Sequence, residues 1–155
     1  GADGVMSIFG GQAGWDRCAL LGYGTVLDDG EAMDSPRVLD AAGAGGAVVF
    51  HGMYEAGPEL LDGFEGGPAW RAAIEELPEH ERHLHTHEGH FVAMTDRDRA
   101  AVTPDLIAAT TWTGPADALR SRLADVEAGG VSEFVYAPMG TDPARELRAF
   151  RSLVG

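Results

Sequence analysis

Apolar and polar positions recur with two periods along this chain, and the changes of period mark its elements. Val5-Met6-Ser7-Ile8-Phe9 is a short, mostly apolar run between Gly4 and Gly10-Gly11, the pattern of a buried strand with a glycine-rich exit. Trp15 to Leu20 reads as a short helix or turn. Gly22 to Leu27 reads as a second strand, stopped by the turn Asp28-Asp29-Gly30-Glu31. Ser35-Pro36 has the form of an N-cap with proline at the first helical position. The helix it opens is expected over 37–42, broken at Gly43-Ala44-Gly45-Gly46, and resumed over 47–55. Trp70, Ala73, Ile74 and Leu77 recur at helical spacing, and Pro78 stops that helix. Thr95 to Arg99 caps a helix running toward Leu106-Ile107. Pro115 opens another, with Leu119, Leu123 and Val126 on one face and Gly129-Gly130 as its end. Glu133 to Ala137 is the next strand. Asp142-Pro143 starts a last helix, whose stripe is Leu147, Phe150 and Val154. Loop, helix, strand, loop, helix with short joints is the grammar of a parallel α/β sheet or barrel.

Composition narrows the classes. The chain has 155 residues, enough for one domain with a core. Its net charge of −14 argues against nucleic acid and against an anionic membrane surface, since both need a basic face. All 11 basic residues are arginine, so a local cationic pocket is still open to it. No apolar run approaches the ~20 residues of a bilayer span. Cys18 is the single cysteine and forms no intrachain disulfide, which fits a reducing, cytoplasmic compartment. The chain opens Gly1-Ala2-Asp3-Gly4 and enters a strand at once, which reads as a segment of something longer.

The densest chemistry is Arg82-His83-Leu84-His85-Thr86-His87-Glu88-Gly89-His90, with four of the six histidines. In an extended segment His83, His85 and His87 would share one side, since the strand period is two. Three readings follow. The stretch is a hydrogen-bonded polar segment; or one or two of its histidines line a pocket, where a near-neutral pKa is useful; or His83, His85, His87 and Glu88 hold zinc or iron in a hydrolase-like site. No metal ligand is assigned, because metal motifs of that type have stricter spacing and a carboxylate elsewhere. His51 reads as a core or interface histidine. Four acids between Asp28 and Asp34 lack the ligand spacing of a calcium loop and read as a solvated turn. The glycines at 43–46 lack the spacing of a dinucleotide fingerprint.

Four stretches carry a likeness to a known family. They are Gly1 to Val5; Gly24 to Glu31; Arg82-His83-Leu84 with Thr86-His87-Glu88-Gly89-His90; and Thr113-Gly114-Pro115 through Glu133–Pro138 to Arg145–Phe150. In that order they resemble the luciferase-like, flavin- or deazaflavin-dependent oxidoreductases, in the branch with methylene-tetrahydromethanopterin reductase-type members. The resemblance implies the C-terminal portion of a (β/α)8 TIM-type barrel. Residues 1–21 would be the seventh βα unit, 22–112 a mainly helical excursion, and 113–155 the last helix–strand–helix. It implies a reductase or monooxygenase using FMN or the 8-hydroxy-5-deazaflavin coenzyme for hydride transfer or oxygen activation on a small-molecule substrate. Ser7, Ile8, Phe9 and Gly10 would lie beside the cofactor ring, and the family's phosphate-binding residue would fall just upstream of Gly1. His87, His90 and Glu88 are the catalytic candidates. An open half barrel would pair with a second copy or with the missing barrel half, and the alternative to an enzyme is a catalytically incomplete subunit or binding module.

Overall fold

The computed structural model describes residues 1–154. Three parallel strands form one sheet in the order β1 (Gly4–Ser7), β2 (Arg17–Tyr23), β3 (Glu133–Ala137). Between β2 and β3 lie α1 (Pro36–Ala56), a 3-10 segment (Pro58–Gly63), α2 (Gly67–Glu75), α3 (Glu79–Thr86), α4 (Asp96–Ala101), α5 (Pro104–Thr110) and α6 (Ala116–Ala128). After β3 comes α7 (Pro143–Val154).

The central strand is the segment expected as a helix or turn. Cys18, Leu20 and Gly22 are buried while the residues between them are partly open. A short apolar run suits either state, and pairing with a neighbour on each side decides for the strand. The strand expected over 22–27 stops at Tyr23. Gly24, at φ 148°, runs so close to Trp112 that a Cβ would meet its carbonyl carbon at 2.4 Å. Beyond it only a single bridge, Val26 to Gly114, continues the pairing.

This arrangement overturns the barrel expectation. In a (β/α)8 barrel each strand is followed by a helix. Here residues 8–16 link β1 to β2 with no helix, and a strand stands between the two expected as seventh and eighth. Gly11 makes the short link feasible: a Cβ there would lie 2.1 Å from Gly129 O, so the loop runs flush against the end of α6. The chain is a small α/β domain with a three-stranded parallel sheet.

One face of the sheet is covered. Leu20 packs with Trp112, Leu119, Val131, Phe150 and Leu153, drawn largely from α6 and α7. Phe150 stacks on Tyr136 at 4.0 Å between ring centroids. The other face, with Met6 beside Ala19 and Leu21 beside Val135, is open, and Met6 is 59% exposed. A second core lies among the helices, built from Phe50, Leu61, Trp70, Ile74, Ala101 and Leu106.

α1 reaches from a small cluster beside Tyr23, where Ala44 packs with Met94 and Met139, to the helical core at Phe50. It runs unbroken through the glycine run that was expected to interrupt it. Those glycines are contact surfaces: a Cβ on Gly45 would meet the Tyr23 ring at 2.6 Å, and one on Gly43 would meet the Met94 methyl at 2.4 Å. Close packing offsets the ~1 kcal/mol that glycine costs in a helix interior.

Near the start of α1 the acidic turn is paired, not merely solvated. Arg37 binds Glu31, and donates to Thr25 Oγ1 at 2.8 Å and to Glu146 Oε1 at 3.1 Å. Arg145 donates to Glu146 Oε2 at 3.0 Å and to Asp28 Oδ1 at 2.6 Å. Glu146 is 2% exposed and also accepts the Thr25 hydroxyl at 2.5 Å. This cluster ties α1, α7 and the turn after β2 together.

Candidate functional site

At the far end of α1 stands a cluster of another kind. His51 is 1% exposed, and Glu55 follows one turn later on the same face. α3 ends at Thr86 and hands over to a tight turn. His90 N donates to His87 O at 3.0 Å, and Val92 N to Gly89 O at 2.8 Å. Gly89 has φ 75°, and a Cβ there would come within 2.2 Å of Ala93 O, so glycine is required. Phe91 also sits at positive φ, 59°, a conformation that costs a non-glycine residue roughly 1–2 kcal/mol. The turn brings the His87 and His90 rings to 4.9 Å between centroids.

His90 Nδ1 lies 3.1 Å from His51 Nδ1 and 3.1 Å from His87 Nδ1. One ring nitrogen from each of the three residues lies within 4.8 Å of the others. Carboxylates face the outer nitrogens. His87 Nε2 is 2.7 Å from Glu55 Oε1. His51 Nε2 is 3.5 Å from Asp98 Oδ1, too long for a good hydrogen bond, and is otherwise without a partner. The Glu55 hydrogen bond favours the proton on Nε2 of His87, and the nearby charge of Asp98, without a formed hydrogen bond, draws the His51 proton to the same side, which turns both Nδ1 lone pairs toward His90.

Asp98 is fully buried and held from several sides. Its Oδ1 accepts the Trp70 indole N–H at 2.7 Å, and its Oδ2 accepts Thr95 N and Oγ1 at 2.9 and 2.8 Å, closing a capping box on α4. Burial opposes its ionisation, yet the His51 ring, the Trp70 indole and Thr95 together bring its pKa down to about 2. For His90 the same opposition goes the other way. Burial, then the neighbouring His51 and His87, lower its pKa below the usual histidine value, against a smaller pull from Glu55. The Phe91 ring lies 4.8 Å from both the His90 and the Tyr23 rings, so the cluster touches the last residue of β2.

Of the residues expected to do chemistry, the structure joins His87 and His90. Glu88 stands apart, exposed and 3.2 Å from His85 Nδ1. His83, His85 and His87 do not line up, because residues 79–86 are helical and not extended. The sequence reads His51 as a core or interface histidine, Asp98 as part of a helix cap and Glu55 as the end of a helix, and none of them as part of a site. Their only signals were the i, i+4 spacing of His51 and Glu55 and the Thr95-x-x-Asp98 capping pattern.

Comparison with protein-family models, with curated proteins and with solved structures finds no match for this chain.

Ser7, Ile8, Phe9 and Gly10, expected beside a cofactor ring, lie at the C-terminal end of β1. Ile8 is 56% and Phe9 87% exposed. With Val5, Met6 and Gln12, Ser7 to Phe9 line a shallow groove of about 280 Å³. Its polar groups are few: Ser7 Oγ accepts Phe9 N at 3.0 Å and Gln12 Nε2 at 3.3 Å. Ile8 and Phe9 give the groove an apolar wall that suits the carbocyclic end of a flavin or deazaflavin ring, while only Ser7 and Gln12 are there for its polar end. The groove does not fit the phosphate, since no cationic side chain lines it. Arg17 sits at the opposite end of the strands, paired with Glu133 at 2.8 Å. Among the described residues no helix is long and apolar enough to cross a membrane.

Proposed function

We propose that this chain belongs to a flavin- or deazaflavin-dependent oxidoreductase acting on a small molecule, with the cofactor ring against Ile8 and Phe9. The observation that carries the reading is the exposure of this apolar pair where a parallel strand ends. Ligands of parallel α/β sheets bind outside the carboxyl ends of the strands, and an apolar surface excludes water from a reactive ring. The likeness of the four sequence stretches supports the same reading. Because the groove offers the phosphate nothing, the chain's own contribution stops at ring contact. The test is fluorescence titration of FMN and of the deazaflavin coenzyme. Binding of either should weaken about tenfold in Phe9→Ser, the loss of one buried phenyl. A Kd above about 1 mM for both cofactors sinks the reading.

A second reading is favoured by the open sheet face. Met6, Ile8, Phe9 and Trp15 are all exposed large apolar residues around β1, and β1 and β3 are edge strands. On this reading the chain is a subunit that pairs with a second copy through that face. Sedimentation should then show a dimer that Met6→Glu converts to monomer. A wild-type monomer at every concentration removes it.

A further inference from the structure

We propose that His51, His87 and His90 form a binding site for a divalent transition-metal ion of the zinc class, with Glu55 and Asp98 as the outer carboxylates that orient two of the rings. Ligand nitrogens on a tetrahedral zinc ion, at ~2.0–2.1 Å from the metal, stand ~3.3 Å apart. His90 Nδ1 is already 3.1 Å from its two counterparts, and all three residues meet within 4.8 Å. Little movement is needed to seat an ion among them.

Proton counting points the same way. Glu55 at 2.7 Å and Asp98 at 3.5 Å face Nε2 of His87 and His51, so their Nδ1 atoms present lone pairs. Neutral His90 has at most one Nδ1 proton to offer two lone pairs, in a region where an unmet polar group is costly. A cation accepts from all three nitrogens at once, with the His90 proton moved to Nε2. The charges also balance, since two carboxylates face a dication. A carboxylate behind a ligating histidine is the usual means of fixing its tautomer and raising its basicity.

The donor set selects the metal class. Three imidazoles without a thiolate suit zinc, copper, nickel or iron, not magnesium or calcium, which take oxygen ligands. Among the described residues no fourth His, Cys, Asp or Glu joins the group. Three protein ligands leave a coordination position for water or a substrate atom, the arrangement of reactive zinc sites and not of closed structural ones. The His87 side chain is 37% exposed, which leaves a route for the ion from solvent. This site is independent of the flavin groove, so either can fail alone.

The test uses the full chain, purified without a histidine tag and treated with chelator. Zinc is titrated against a chromophoric competitor, and Co2+ serves as a spectroscopic probe. One equivalent of zinc should bind, and Co2+ should give the visible absorption of a four- or five-coordinate complex. Glu55→Gln should raise the zinc Kd about tenfold with the stoichiometry kept. His87→Ala and His90→Ala, on a half-buried turn, should lose more than that while retaining the native circular dichroism. His83→Ala and His85→Ala, outside the cluster, should bind as the wild type does. Absence of stoichiometric binding at about 1 mM zinc overturns the proposal. So does an equal loss in His83→Ala or His85→Ala, which would mean surface histidines alone are responsible.

Discussion

The two ends of α1 carry two buried polar clusters, and they are built on opposite plans. At Arg37 every group is answered: Glu146 takes bonds from both arginines and from Thr25, and the arginines' remaining donors reach Val26 O, Glu31 and Asp28. At His51 the books stay open. Two lone pairs face one proton, and His51 Nε2 has no good acceptor. Each cluster forfeits hydration, which costs free energy unless partners replace it. The first recovers it within the chain and so works as a fastener. The second recovers it only with something added. Incomplete satisfaction in a well-packed place is thus the better pointer to function than polarity or burial alone.

Acid should have the largest effect, because it reaches both clusters. The Arg37 hydrogen bond, against a smaller opposing effect of burial, lowers the pKa of Glu31 from 4.5 to about 2. Asp98 falls from 3.8 to about 2. Both folded values are depressed, so the stability they contribute is fully present above the ordinary carboxylate values and is lost as pH falls toward 2. Urea midpoints should drop steeply from about pH 4.5 to 2. Glu31→Gln and Asp98→Asn should each flatten part of that slope, and a wild-type midpoint that ignores pH would contradict both assignments.

Next in size is Glu146→Ala. It removes the buried carboxylate that two largely enclosed arginines share and leaves Arg37 with Glu31 and Arg145 with Asp28. The cost should therefore fall at the low end for breaking a buried pair from one side, about 3 kcal/mol. Arg37 and His51 stand ~21 Å apart along α1 at ~1.5 Å per residue, beyond the range at which substitutions usually couple. The variant should therefore lose stability in urea with its zinc affinity intact. A parallel loss of zinc binding would show that α1 transmits strain between its ends.

How much of this was legible depended on whether the deciding partner was near in sequence. The caps of α1, α4, α6 and α7, the stripe of α2 and the strand Glu133–Ala137 follow from local pattern and are where expected, whereas the helix expected to run from Thr95 toward Ile107 is divided into α4 and α5, with Thr103 capping the second. β2 was misread because its run is too short for periodicity to settle, and one of its two partners, β3, lies far away in the chain. The glycines of α1 look like breakers until Tyr23 and Met94 arrive to fill the space. In the site, His87 and His90 could be singled out because one turn holds both. His51 could not, since 39 residues separate it from His90. The barrel expectation failed for a related reason: likeness along the chain carried over a helix that residues 8–16 do not form.

The smallest effects belong inside the histidine cluster, and they test whether it is as open as the geometry says. Asp98 draws its firmest side-chain bond from the Trp70 indole, at 2.7 Å. A hydrogen bond to a buried charge contributes roughly 1.5–3 kcal/mol. Trp70→Phe should therefore cost about 2 kcal/mol in the metal-free protein. His51→Phe removes a ring whose Nε2 has no good acceptor and whose Nδ1 competes for a shared proton. Replacing an unsatisfied buried group by an apolar one of similar shape is nearly neutral. Its cost should stay below about 1 kcal/mol, while zinc binding is lost. If His51→Phe instead costs as much as Trp70→Phe, the 3.5 Å approach of His51 to Asp98 is a working ion pair. The cluster would then be closed in the manner of the one at Arg37, and the case for an added ion would lose its main support.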